Sequence, residues 1–179
     1  DADTLDKQSP AVNGQPGISA AASRRTEPVC VPVRRPAGAA AEDGAGVGFR
    51  QVWGPEVQEF FDRPDPVPGR GEVLTRVDVV GVNPLDHLLR SSLVDGLDGG
   101  RPFPRVLGME AAGTVLARGE DVDGLEVGDA VLGFALTGGG TYAETTVLSV
   151  LNTARIPEGL SVTVAATLPV AGTTAVDVL

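Results

Sequence analysis

The 179-residue sequence has one cysteine, Cys30, one histidine, His87, and only 4% aromatic residues. A single cysteine excludes an intramolecular disulfide. A structural zinc centre draws on about four Cys or His ligands, and a catalytic one on about three protein ligands. One cysteine and one histidine supply neither without several carboxylates. Basic residues are also few: 14 Lys and Arg stand against 24 Asp and Glu, a net charge of -10. That argues against nucleic acid as a main partner, because phosphate binding needs a basic footprint. No apolar run approaches the roughly 20 residues of a membrane-spanning helix, so no membrane partner is expected. The opening DADTLDKQSP lacks the apolar core of a signal peptide. The scarcity of cysteine fits a reducing compartment, and the expected location is cytoplasmic. Because the sequence starts at Asp1, a fragment or a processed chain is expected.

Glycine is plentiful at 24 residues and proline stands at 14. Together with the low aromatic content this predicts many turns and short strands rather than a helical bundle. Residues 1–48 are rich in Ala, Gly and Pro without a sustained hydrophobic period. They read as a disordered tail or linker, in which EPVCVPV offers one edge strand weakened by its prolines. From Phe49 the texture changes. FRQVWG and VQEFFDRP read as short strands, and DPVPGRGE as a turn cluster. In EVLTRVDVVGV, Val73, Thr75, Val77 and Val79 fall on one face at period two. VLGMEAAGTVLAR, EVGDAVLGFA and TYAETTVLSV follow as further strands, and TGGGTY reads as a hairpin loop. NPLDHLLR predicts a short helix with Asn83 at its N-cap, Pro84 at the first helical position and Asp86 in the first turn. GLSVTVAATLPVAGTTAVDVL predicts a second helix, capped by Ser161 and running to Leu179. The glycine-rich DGAGVGF at 43–49 is rejected as a dinucleotide loop, since it precedes a strand instead of opening a helix.

The pieces DPVPGRGEVLTRVDVVGVNPLDHLLR, PRVLGMEAAGTVLARGEDVDGLEVGDAVLGF, GGGTYAE and RIPEGLSVTVAATLPVAGTTAVDVL stand in sequence from about residue 64 to the end. In that order and spacing the chain resembles the N-terminal half of a zinc-free medium-chain dehydrogenase/reductase of the quinone oxidoreductase-like group. The resemblance implies a mainly β fold with short helices, a GroES-like, partly open β-barrel truncated before a Rossmann domain. The expected division is a tail over 1–48, a catalytic, substrate-side domain over 49–169, and over 170–179 the start of a helix connecting to a nucleotide-binding domain that is absent. It also implies NADPH as the cofactor, a small-molecule substrate (a quinone or an activated alkene or carbonyl), and a homodimeric parent enzyme. The isolated chain would bind NADPH poorly and be inactive, because no GxGxxG phosphate loop stands in it.

In zinc-dependent relatives a cysteine occupies the position of Asn83 and a histidine that of Met109, so the resemblance implies catalysis without a metal. Met109 then reads as core packing. Asn83 is the first candidate site residue, both catalytic and cofactor-binding. An amide carries donor and acceptor atoms, and the family match places it beside the nicotinamide; the competing reading is pure N-capping. Tyr142, the only tyrosine, is the second catalytic candidate, as a phenol able to protonate a substrate in a water-poor cleft, or else a core aromatic. Thr174 is implied against one face of the nicotinamide; alternatively its hydroxyl bonds back to a helix carbonyl. Asp86 and His87 are candidates for the substrate pocket, against a first-turn carboxylate and a surface histidine. Glu110 reads as structuring the barrel. A second function class stays open: a non-catalytic GroES-like module acting in binding or assembly.

Overall fold

The computed structural model describes residues 30–31, 44–52, 54–92, 102–135 and 140–179. Nine strands and three short α-helices form the described fold. The strands are β1 (Cys30–Val31), β2 (Ala45–Phe49), β3 (Gln58–Asp62), β4 (Glu72–Gly81), β5 (Arg105–Val106), β6 (Glu110–Arg118), β7 (Ala130–Phe134), β8 (Thr145–Ser149) and β9 (Thr153–Arg155). Helix α1 is Pro84–Arg90, α2 is Val162–Ala165 and α3 is Thr173–Asp177. Every strand pairing is antiparallel.

Strand β4 is the spine. One of its edges carries β6, followed by β7 and β9. Its other edge carries β8 over Glu72–Arg76 and β1 over Val80–Gly81. A second sheet, ordered β3-β2-β5, is tied to the first by the segment before β8. There Val47 N–H donates to the Tyr142 carbonyl (2.7 Å), Glu144 N–H to that of Ala45 (2.8 Å), and Val77 N–H to that of Glu144 (2.8 Å). The sheets do not close on themselves, so the mainly β, partly open GroES-like architecture is what the chain adopts.

Several expected boundaries move. Strand β2 ends at Phe49, where the FRQVWG strand was expected to begin, so DGAGVGF holds a strand and no phosphate loop. Residues 45–48 and Cys30–Val31 therefore leave the predicted tail, and the EPVCVPV edge strand exists as β1 on β4; the rest of 1–43 lies outside the described residues. The small glycines of β2 hid it from a search for branched, alternating side chains. TGGGTY is not the tip of a hairpin: Thr137–Gly139 lie outside the described residues, and the flanking strands pair elsewhere, β7 with β6 and β9, β8 with β4. The face read as Val73, Thr75, Val77 and Val79 holds only to Val77. A register irregularity between Val77 and Val79 advances the pleat by one residue. Val80 then takes the inward position beside Val77 and Ala111, while Val79 packs on the opposite face against Ala112 and α2.

The main core gathers Val73, Val115, Val122, Leu125, Val131 and Leu148. The long C-terminal helix is in fact broken. Ser161 caps α2 through Val164 N–H (3.3 Å) as expected, but a wider π-helical turn, Leu168–Gly172, intervenes before α3. Proline at 169 has no N–H for a helix ladder, and the next N–H, that of Val170, leaves the helix for a side chain described below.

Leu148 is fully buried and Leu151 is 90% exposed. Urea unfolding of Leu148→Ala is expected to show a loss of about 2–5 kcal/mol. Leu151→Ala should stay within about 0.5 kcal/mol of the parent chain. Equal losses would contradict this core.

Candidate active site

Asn83 sits at the N-cap of α1 in extended backbone (φ -119°, ψ 150°), with Pro84 following. Asp86, three residues on, folds back, and its Oδ2 accepts the Asn83 N–H at 2.8 Å. This is one half of a capping box. The other half is loose: the Asn83 side chain faces the Asp86 N–H without a full hydrogen bond, and that N–H donates to the Asn83 carbonyl at 3.0 Å. The Asn83 amide is engaged elsewhere. Its Nδ2 donates to Glu110 Oε1 at 2.9 Å. The second Glu110 oxygen, Oε2, accepts the Val170 N–H at 2.8 Å. One carboxylate thus joins the N-terminus of α1 to the π turn from the first residue of β6.

Asp86 is 5% exposed and carries three hydrogen bonds. Besides Asn83 N–H, its Oδ2 accepts the Tyr142 hydroxyl at 2.8 Å, and its Oδ1 accepts Gly108 N–H at 3.2 Å. Gly108 has φ +97°, a conformation open to glycine. A Cβ there would also collide with Thr141 Oγ1 and Tyr142 Cδ1. The glycine is therefore what aims its N–H at Asp86. Gly81 plays the matching part for Glu110, since a Cβ at 81 would occupy the space of Oε1.

Burial raises the Asp86 carboxyl above its ordinary value, opposed by the bonds from Asn83, Tyr142 and Gly108. Burial and the neighbouring Asp86 charge raise the Tyr142 phenol far above its usual value. The phenol is therefore neutral and its proton is already committed to Asp86. Proton loss from Tyr142 would leave phenolate against carboxylate, which the site resists. Tyr142 can act as an acid only when Asp86 holds a proton.

Asn83, Asp86 and Tyr142, three of the residues singled out from sequence, are thus joined in one hydrogen-bonded network. His87 and Thr174 are not. His87 is exposed and lies 3.5 Å from Arg90 through Nδ1. Thr174 is exposed, and its hydroxyl donates back to the Val170 carbonyl at 2.7 Å. Met109 is half-buried beside Gly108. Glu110, read from sequence as structuring the barrel and given no part in the site, is the residue that ties Asn83 to the π turn. Its signal was present: a lone carboxylate among the small apolar residues of MEAAG, on a strand bound for the interior. An apolar groove of about 260 Å³ has walls that include Leu132 and Phe134 of β7, Pro169 of the π turn and Thr173. Neither Asp86 nor His87 lines it.

Among the described residues no group of three or more His, Cys, Asp or Glu is placed to hold a metal ion. No described helix is long and apolar enough to cross a membrane. The donor set at Asn83 suits a nicotinamide carboxamide or ribose. The amide keeps a second N–H and a loosely engaged oxygen, so it can both give and receive a hydrogen bond.

The family profile described as the alcohol dehydrogenase GroES-like domain matches residues 69–158, half of the chain. The chain belongs to this family. The GroES-like domain is 35% identical to the quinone oxidoreductase of Pseudomonas aeruginosa over 128 residues, 72% of this chain and 38% of that protein. It is 42% identical to the synaptic vesicle membrane protein VAT-1 homolog of Danio rerio over 101 residues, 56% of this chain and 20% of that protein. It superposes on the crystal structure of Escherichia coli quinone oxidoreductase complexed with NADPH with a TM-score of 0.69 at 27% identity, covering 75% of this chain and 40% of that one. The chain is thus a quinone-oxidoreductase-like medium-chain dehydrogenase/reductase, and it spans less than two fifths of the length of these two curated relatives.

The raised Asp86 value sets a sign. A folded-state value above the unfolded one means that the folded chain holds its proton longer. The stabilisation is complete below the ordinary value of 3.8 and is lost as pH rises through the folded value. Relative to Asp86→Asn, the parent chain is expected to lose stability as pH rises above the ordinary carboxyl value. Tyr142→Phe removes a bond to the charged form and should destabilise by about 1.5–3 kcal/mol near neutrality. That loss should shrink as Asp86 protonates. Thermal melts across pH check both; a pH-independent difference would contradict the assignment.

Proposed function

We propose that this chain is the substrate-side portion of a zinc-independent, NADPH-dependent oxidoreductase that reduces quinones or activated alkenes and carbonyls. The observation that carries the reading is the state of Asn83. It stands where a zinc-binding relative would place a cysteine, and its amide is held by Glu110 with hydrogen-bonding capacity left over. NADPH, when bound, supplies the hydride. The chain's own residues have other tasks. Asn83 receives the carboxamide or a ribose hydroxyl, and Thr174, with its proton donated to Val170, offers an acceptor oxygen. Asp86 and Tyr142 hold a proton at the phenol oxygen and release it only from the protonated carboxyl state. The apolar groove walled by Leu132, Phe134 and Pro169 accords with a planar, weakly polar substrate.

Remote parts of a cofactor supply much of its binding energy. No glycine-rich phosphate loop stands in these 179 residues. NADPH should therefore bind the chain little better than reduced nicotinamide mononucleotide, and NADPH oxidation by benzoquinone should stay at background. In an NMR titration, the mononucleotide is expected to shift signals of Asn83 and Thr174 with weak, millimolar affinity. Asn83→Ala should lower that affinity roughly three- to tenfold, the loss of one or two ordinary hydrogen bonds. A chelator should change nothing. Shifts confined to other parts of the chain, tight NADPH binding, or a response abolished by chelator and restored by zinc would overturn the reading. A non-catalytic module would give no response at Asn83.

A further inference from the structure

Glu110 is 3% exposed, yet its carboxylate touches no cation among the described residues. Buried carboxylates are tolerated when their oxygens are hydrogen-bonded, and here the two oxygens serve two separate elements. Oε1 takes Asn83 Nδ2 (2.9 Å) and Oε2 takes Val170 N–H (2.8 Å). The carboxylate is itself fixed. Thr141 Oγ1 donates to the Glu110 carbonyl at 3.0 Å, Gly81 leaves no Cβ in the way of Oε1, and Gly81 pairs with Glu110 across β4 and β6.

The chemistry of this arrangement is directional. A carboxylate only accepts. Asn83 must therefore present Nδ2 to it, and the amide oxygen is turned the other way. Val170 must likewise present its N–H, which the π turn releases from the helix ladder. We propose that Glu110 is a positioning residue that fixes the orientation of the Asn83 amide and couples it to the backbone of the π turn. The face that Asn83 shows a ligand and the course of the chain into α3 are then set by one group. The proposal rests on Asn83 being the nicotinamide contact only for its consequence in binding; the positioning itself is read without ligand.

Glu110→Gln tests it, because glutamine keeps the shape but has one acceptor where two are needed. In the ligand-free chain, hydrogen exchange followed by NMR is expected to speed up on the order of tenfold at the Asn83 side-chain amide or at the Val170 amide, whichever loses its acceptor. Amides of the β4–β6 ladder should keep their protection. Exchange at both sites within about twofold of the parent chain overturns the proposal. If Glu110→Gln fails to fold, Asn83→Ala reads the same link from its other end. Freeing Oε1 should then raise exchange at Val170 roughly tenfold, and an unchanged Val170 overturns the coupling. With reduced nicotinamide mononucleotide added, the parent chain should slow exchange at Val170, by the reciprocity of coupled sites. Glu110→Gln should abolish that response, and an equal response in the variant counts against the proposal. If the mononucleotide moves no Asn83 signal in the parent chain, the functional reading fails, while the ligand-free exchange still decides the positioning.

Discussion

Two carboxylates inside a mostly apolar barrel set the terms for everything around them. Asp86 and Glu110 are both buried, and neither has a cation among its hydrogen-bond partners. Each is made tolerable by donors: Asn83 N–H, Gly108 N–H and the Tyr142 hydroxyl for Asp86, Asn83 Nδ2 and Val170 N–H for Glu110. Those donors come from the N-cap of α1, the β5–β6 loop, the segment before β8 and the π turn. Four regions far apart in sequence are thereby held at one place. A buried polar cluster of this kind fixes a single arrangement, because any shift leaves an unpaired group in a dry environment.

The same requirement explains the local irregularities. Gly108 adopts a left-handed backbone so that its N–H meets Asp86 and the Thr141–Tyr142 segment can pass close by. Gly81 is bare so that Glu110 can turn inward. The helix after Ser161 widens at Leu168–Gly172, and the N–H it releases at Val170 finds Glu110. Turn and helix each depart from regularity next to a carboxylate.

This also shows what could be read from the residues and what could not. Strands β4, β6, β7 and β8, α1 with its Asn83 and Pro84, and the Ser161 cap were legible because branched side chains, caps and turn residues act locally; the short β5 and β9 were not. The resemblance to the quinone oxidoreductase-like group was legible from segment order, and the family match supports it. Strand β2 was not, because its glycines carry no alternation. The slip between Val77 and Val79 was not, because a bulge is a property of the pair of strands. The break in the last helix depended on a partner sixty residues upstream, Glu110 on Val170. Asn83, Asp86 and Tyr142 were each named from chemistry one at a time. That they share one network is a fact of topology, since Tyr142 reaches Asp86 across 56 residues.

The joint state of Asp86 and Tyr142 limits the chemistry more than either residue does alone. With Asp86 ionised, the phenol is a fixed donor and a poor acid, since its conjugate base would face a carboxylate in a desolvated pocket. With Asp86 protonated, the pair can pass a proton outward from the phenol and refill it from the carboxyl, with no like charges in contact. The raised Asp86 value extends the second state toward neutral pH. A bound ligand that excluded water would extend it further, because desolvation penalises the charged carboxylate. The protonation state of this pair therefore depends on how dry its surroundings are.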